Sequence, residues 1–135
     1  MDNSIKKYNT IGVLTSGGDA PGMNPCIRAV VRTALNHGIK VLGVEEGLEG
    51  LIHGQFRPMG ARDVGGILQR GGTILQTARS KDFQTPRGQR EAIRQMSNAG
   101  MDGLIIIGGD GSLHAAQVLS EQGIPVVGIP GSIDN

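Results

Sequence analysis

Residues 11–24 read IGVLTSGGDAPGMN, and residues 104–112 read LIIIGGDGS. In each stretch an apolar run enters a cluster of glycine and aspartate and then a segment of helical spacing. Ile11 to Thr15 is short and uninterrupted, which suits a strand buried on both faces better than a helix. Asn24 is placed to cap a helix with Pro25 at its first position. Ile27, Val30, Val31, Ala34 and Leu35 then recur on one face before Gly38 ends it. The second stretch repeats the plan. Leu104 to Ile107 is the strand, Ser112 is placed to cap a helix carrying Ala115, Ala116, Val118 and Leu119, Gly123 closes it, and Val126 to Ile129 is a last strand.

Working outward, Lys40 to Val44 reads as a second strand, a short helix begins at Asp63, and Thr73 to Leu75 reads as a weak third strand. Thr85 followed by Pro86 starts another helix, with Ala92, Ile93, Met96 and Ala99 as its buried stripe and Gly100 as its stop. Strands alternating with helices through short glycine-rich turns predict an α/β fold. Its sheet is doubly wound and mostly parallel, with helices on both faces and ligands at the carboxyl ends of its strands. The 135 residues are the length of one domain, and no internal linker or repeat interrupts them.

Composition narrows the function. Glycine supplies 23 of the 135 residues, where ordinary usage is about 7%. Many of these glycines pair just after apolar runs, at Gly17 and Gly18, Gly71 and Gly72, and Gly108 and Gly109, where backbone can approach a ligand closely. A net charge of +1 and 2% aromatic residues give neither a polyanion-binding surface nor a stacking platform, which argues against nucleic acid. No apolar run approaches the roughly 18 residues of a membrane span. Cys26 is the single cysteine and the polar start, with Lys6 and Lys7, has no signal-peptide core, so the reading is a cytoplasmic protein.

Three segments can carry chemistry. The loop from Ser16 to Asn24 joins a strand to a helix, so its amides and the helix dipole favour an anion. Gly17 and Gly22 have P-loop spacing, but Met23 and Asn24 stand where its Lys and Ser/Thr belong, and G-x-G-x-x-G fails as well. A tight turn without a ligand remains the plainer alternative. Gly108 to Ser112 adds a carboxylate, Asp110, which can hold Mg²⁺ while neighbouring amides hold phosphate, or can simply cap the helix. Asp134, after the last strand, can accept a proton from an attacking hydroxyl or can serve as a turn former. Arg79 offers a planar fork for phosphate oxygens, although a lone arginine is usually just solvated. Two glycine loops in one parallel sheet suggest a polyphosphate gripped from two sides.

Taken in order, GVLTSGGDAPGMN from Gly12, GGTILQTARS from Gly71, IIIGGDGS from Ile105 and GIPGSIDN from Gly128 resemble the phosphofructokinase family over nearly the whole chain. The resemblance implies transfer of the γ-phosphoryl of MgATP to the 1-hydroxyl of fructose 6-phosphate in glycolysis. It implies that Gly18, Arg79, Ser80, Gly109, Asp110, Gly111 and Ser112 contact ATP, with Asp110 on Mg²⁺. Ser132, Ile133 and Asp134 match substrate contacts, Asp134 being the proton acceptor. Arg28 and Arg32 match an allosteric site for a nucleotide diphosphate or phosphoenolpyruvate in bacterial members, which are homotetramers; both can equally be the exposed face of the first helix.

Leu48 departs from the family pattern by replacing an aromatic residue, Ser80 by replacing a frequent cysteine and Ser132 by replacing threonine. Gly111 and Gly131 stand where diphosphate-dependent relatives commonly carry Asp and Lys, which points to ATP as donor. The family pattern continues past Asn135 with another Asp, a transition-state arginine and most groups that hold the sugar phosphate. The chain is therefore expected to be an amino-terminal ATP-binding portion, inactive by itself. A diphosphate-dependent enzyme or a non-catalytic nucleotide-binding module are the alternatives.

Overall fold

The computed structural model describes residues 8–17, 23–70 and 72–130, apart from the side chains of Gln69 and Asp110. Five strands form one sheet: β1 (Thr10–Ser16), β2 (Lys40–Val44), β3 (Phe56–Met59), β4 (Gly103–Gly108) and β5 (Val126–Pro130). Their order is β3-β2-β1-β4-β5. Only β3 runs antiparallel, at one edge. Its Pro58 cannot donate to a ladder and so suits an edge position. The helices are α1 (Met23–Asn36), α2 (Gly47–His53), α3 (Ala61–Val64), α4 (Pro86–Asn98) and α5 (Asp110–Glu121), with a 3₁₀ turn at Asp82–Gln84. The expected α/β architecture with a mostly parallel sheet is present.

Alternation along the strands splits the core into two clusters, one on each face of the sheet. Leu14, Leu104 and Ile106 join Ala92, Met96, Ala115 and Leu119 from α4 and α5. Val13 and Ile107, one residue out of phase, join Ile27, Val31 and Ala34 of α1 on the other face. The chain travels from β1 to β2 in one direction along the sheet and from β4 to β5 in the other. Right-handed crossovers then require α1 and α5 on opposite faces, as found.

Several local expectations need correction. Thr73 to Leu75 is not a strand; it is a strap across the carboxyl edge of the sheet. Asn24 does not cap α1 but lies inside it, fully buried, with its amide turned to the strap. Ser112 does not cap α5, whose N-cap is Gly109; Ser112 is the third residue of the helix and bonds to β1. The helix expected at Asp63 starts at Ala61, and the Asp63 carboxylate accepts from the Gly60 amide at 2.6 Å. Thr85 does cap α4, accepting from the Gly88 amide at 3.0 Å. Elements α2 and β3 had no expectation at all. The first follows a left-handed Glu46 (φ 62°) with no side-chain cap, and the second is four residues long.

Candidate functional site

The sheet changes direction between β1 and β4, where ligands of open α/β sheets bind. These two strands pair in parallel down to Ser16 and Gly108. Beyond them Gly17, at φ 95°, turns against Gly109: a Cβ on Gly17 would lie 3.7 Å from the Gly109 nitrogen. Below this contact the packing leaves no slack. The Ser112 hydroxyl donates to the Ser16 carbonyl oxygen at 3.2 Å, and a Cβ on Gly108 would run into both groups. Gly17 and Gly109 are thus brought side by side at the N-terminus of α5.

A cleft of about 1290 Å³ opens beside this junction. Gly17 and Gly111 border it on one side and Thr77 to Ser80 on the other, with Leu48 and Val118 giving apolar surface. Gly111 has open space where a side chain would be, so nothing but its lack of Cβ keeps that part of the cleft clear.

The opposite wall is the continuation of the strap. Leu75 is buried in the α1-side cluster and Phe83 in the α5-side cluster, so residues 76–82 cross the edge of the sheet from one face to the other. Gln76 takes φ 64°, a left-handed conformation that costs a non-glycine residue about 1 kcal/mol or more. Gly47, at φ 61°, lets α2 begin close to the strap; a Cβ there would sit 3.0 Å from the Thr15 oxygen and 3.4 Å from the Ala78 nitrogen. Past the crossing, Ser80 Oγ accepts from the Phe83 amide at 3.1 Å. The Ser80 hydroxyl also bonds Glu49, and this bond is the main cause holding the Glu49 carboxyl below its usual range. His53, 2.9 Å from Glu49, adds to the effect.

Arg79, Ser80 and Gly111 all line this one cleft, with Gly109 at its junction. Asp110 is the first residue of α5, an oxygen-ligand type next to the cleft. Ser112 is buried, with its hydroxyl engaged by Ser16 rather than open to the cleft. Arg28 and Arg32 lie on α1, whose core face packs on the other side of the sheet, and neither lines the cleft. Gly18, Gly131, Ser132, Ile133 and Asp134 fall outside the described residues. Among the described residues no group of three or more His, Cys, Asp or Glu stands together, and no helix is long and apolar enough to cross a membrane. Sequence reasoning missed Thr15 beneath the wall and Glu49 bonded to Ser80, and it gave Asn24 a capping role instead of its tie to the strap. A threonine at the end of an apolar run was the one available signal.

The sequence model described as Phosphofructokinase matches residues 10–135. The chain belongs to the phosphofructokinase family. It is 57% identical over 126 residues to an ATP-dependent 6-phosphofructokinase of Clostridium botulinum, covering 93% of this chain and 40% of the relative. A second, from Halalkalibacterium halodurans, is 57% identical over 125 residues, covering 93% and 39%. The chain therefore spans about 40% of the length of these curated phosphofructokinases.

Among solved structures, the phosphofructokinase of Saccharomyces cerevisiae superposes with a TM-score of 0.89 at 39% identity, over 94% of this chain and 20% of that one. The T-state Pichia pastoris phosphofructokinase gives 0.90 at 40%, over 98% and 17%. A pyrophosphate-dependent phosphofructokinase from Marinobacter aquaeolei gives 0.73 at 18%, over 91% and 33%, a likeness of fold alone.

Proposed function

We propose that the full-length protein is an ATP-dependent 6-phosphofructokinase that phosphorylates the 1-hydroxyl of fructose 6-phosphate in the cytoplasm. What supports this reading is the cleft at the β1–β4 switch point, with Gly111 and the α5 N-terminus on one side and Arg79 on the other. Amides and a helix dipole on one side and a guanidinium on the other are complementary to a chain of phosphates. The ATP-dependent relatives named above point to the same donor.

In this reading Gly18, Arg79, Ser80 and Gly109 to Ser112 hold the nucleotide, Ser112 through its backbone and its support of the junction. Asp110 supplies an oxygen for Mg²⁺, which when bound neutralises charge on the phosphoryl oxygens. Ser132, Ile133 and Asp134 hold the sugar. Asp134 accepts the 1-hydroxyl proton as the new oxygen–phosphorus bond forms and the bond to the ADP leaving group breaks. Positioning and charge neutralisation do the work, and no covalent enzyme intermediate is needed. Arg28 and Arg32, away from the cleft, are the residues proposed to meet a phosphate-bearing effector in a homotetramer.

The test is a coupled assay for fructose 1,6-bisphosphate on the full-length protein with ATP or diphosphate as donor. Turnover with ATP is expected. Efficient turnover with diphosphate would overturn the donor, and none with either would overturn the activity.

A further inference from the structure

The wall that carries Arg79 has little packing of its own: Arg79 is exposed and Thr77, Ala78 and Ser80 are half-buried. Its position is set from beneath. Thr15, at 0% exposure, ends the apolar run of β1 with a hydroxyl that points under the strap. Thr15 Oγ1 is 3.0 Å from the Gln76 carbonyl oxygen and 2.9 Å from Thr73 Oγ1. Proton counting orients the set. A carbonyl only accepts, so the one Thr15 proton goes to Gln76, and Thr73 must donate to Thr15. Thr73 Oγ1 in turn accepts from the Leu75 amide at 3.1 Å. The result is a directed chain from the Leu75 amide through two hydroxyls to the Gln76 carbonyl.

Asn24 makes the second tie. From inside α1 it donates to the Arg70 carbonyl at 2.9 Å and accepts from the Ile74 amide at 2.8 Å, holding both ends of the segment that enters the strap. The Glu46 amide adds a bond to the Leu75 carbonyl at 2.9 Å. Together these bonds fix the left-handed Gln76, the residue from which Thr77 to Ser80 turn into the cleft. Buried polar groups that could be apolar, all satisfied and all aimed at one loop, specify its conformation rather than merely fill space.

We infer that Thr15 and Asn24 are positioning residues for the nucleotide cleft, holding Arg79 and Ser80 at the phosphate side without touching the ligand. This rests on the proposed function only in taking MgATP as the occupant. In the full-length protein, Thr15→Val keeps the shape of the side chain but leaves the Gln76 carbonyl without its donor. The variant should weaken MgATP binding by about tenfold, the scale of one lost buried hydrogen bond. KM for fructose 6-phosphate should stay within about twofold.

Thr15→Ser, which keeps the hydroxyl, should restore MgATP binding to within about threefold of the parent. Amide exchange at Leu75 should be faster in Thr15→Val and normal in Thr15→Ser. Should Thr15→Val fail to fold, Thr73→Val breaks the same chain from the strap and should give the same MgATP defect. Binding is read by calorimetric titration, so a parent that binds MgATP without phosphorylating fructose 6-phosphate sinks the proposed function while the Thr15 comparison still decides this one. A lowered melting temperature with unchanged MgATP affinity in Thr15→Val would make Thr15 an ordinary core residue and overturn the inference. So would a parent that does not bind MgATP.

Discussion

The Ser112 hydroxyl donates to the carbonyl oxygen of Ser16 across 3.2 Å, joining the first turn of α5 to the end of β1. Gly17 and Gly109 lie directly beyond this bond. Ser112→Ala should cost about 1–2 kcal/mol, the scale of a buried hydrogen bond lost with its acceptor left in place. Gly108→Ala should cost more, on the order of 2–3 kcal/mol, because its Cβ would meet the Ser16 backbone as well as Ser112. Thermal midpoints of the two variants of the full-length protein check the order; a harmless Gly108→Ala would mean that the β1–β4 junction is looser than the packing indicates.

Gly111→Asp separates stability from donor choice. The position has room for a side chain and sits in the first turn of α5, where a carboxylate suits the helix dipole. Folding should be unaffected or slightly improved. The same carboxylate faces the cleft and repels phosphate, so MgATP affinity should fall by about tenfold or more. Titration of the variant with MgATP, beside its melting curve, decides; unchanged affinity would remove Gly111 from the donor site.

Asp134→Asn in the full-length protein should lower kcat by roughly 10² to 10⁴, the usual contribution of a positioned base, with MgATP affinity nearly unchanged. Arg79→Lys should instead weaken MgATP, since an ammonium cannot replace a bidentate fork. Steady-state kinetics on the pair distinguishes the roles. A near-normal kcat for Asp134→Asn would leave that residue a turn former.

Burial pushes the Cys26 thiol above its ordinary range. The neutral thiol is the form the fold prefers, so its contribution to stability is complete below the unfolded thiol value of about 8.5. It is lost as pH climbs through the raised folded value. Alkylation of Cys26 should therefore be slow at pH 7 to 8 and accelerate only in more alkaline solution. Rapid labelling at pH 7 by mass spectrometry would show an exposed thiolate instead.

Residues 1–135 produced by themselves should form no fructose 1,6-bisphosphate. The chain spans about 40% of the length of its curated relatives, and if most of the sugar-orienting groups lie in the remainder, a proximity contribution of about 7 to 11 kcal/mol is lost. Ile105 and Ile129 are only partly covered and Val127 is 58% exposed, so this piece should also self-associate. A coupled assay and size-exclusion chromatography report on each half; robust turnover would relocate the acceptor site.

The switch point was legible because its two halves carry the strongest local signals a sequence has, apolar runs ending in paired glycines. The strap was not. Thr73 to Leu75 has the residue types of a strand, yet its amides bond to Asn24 and Thr73 rather than to a neighbouring strand. Asn24 and Ser112 were misread for the same reason: each has the right type and place for a cap, and tertiary partners claimed the side chain instead. Helix α2 was hidden by its glycines at 47 and 50, whose purpose is close approach to other backbone: Gly47 to Thr15 and Ala78, Gly50 to Glu45.

The strap is anchored in one hydrophobic cluster by Leu75 and in the other by Phe83. Its length is consequently set by the packing at both ends. Inserting or deleting a residue between these anchors would unseat one of them or shift Arg79 along the cleft, whatever the composition of the change. Such lengths should be held constant across related chains, while the exposed turn at Gly65 and Gly66, which bridges no two cores, is free to vary.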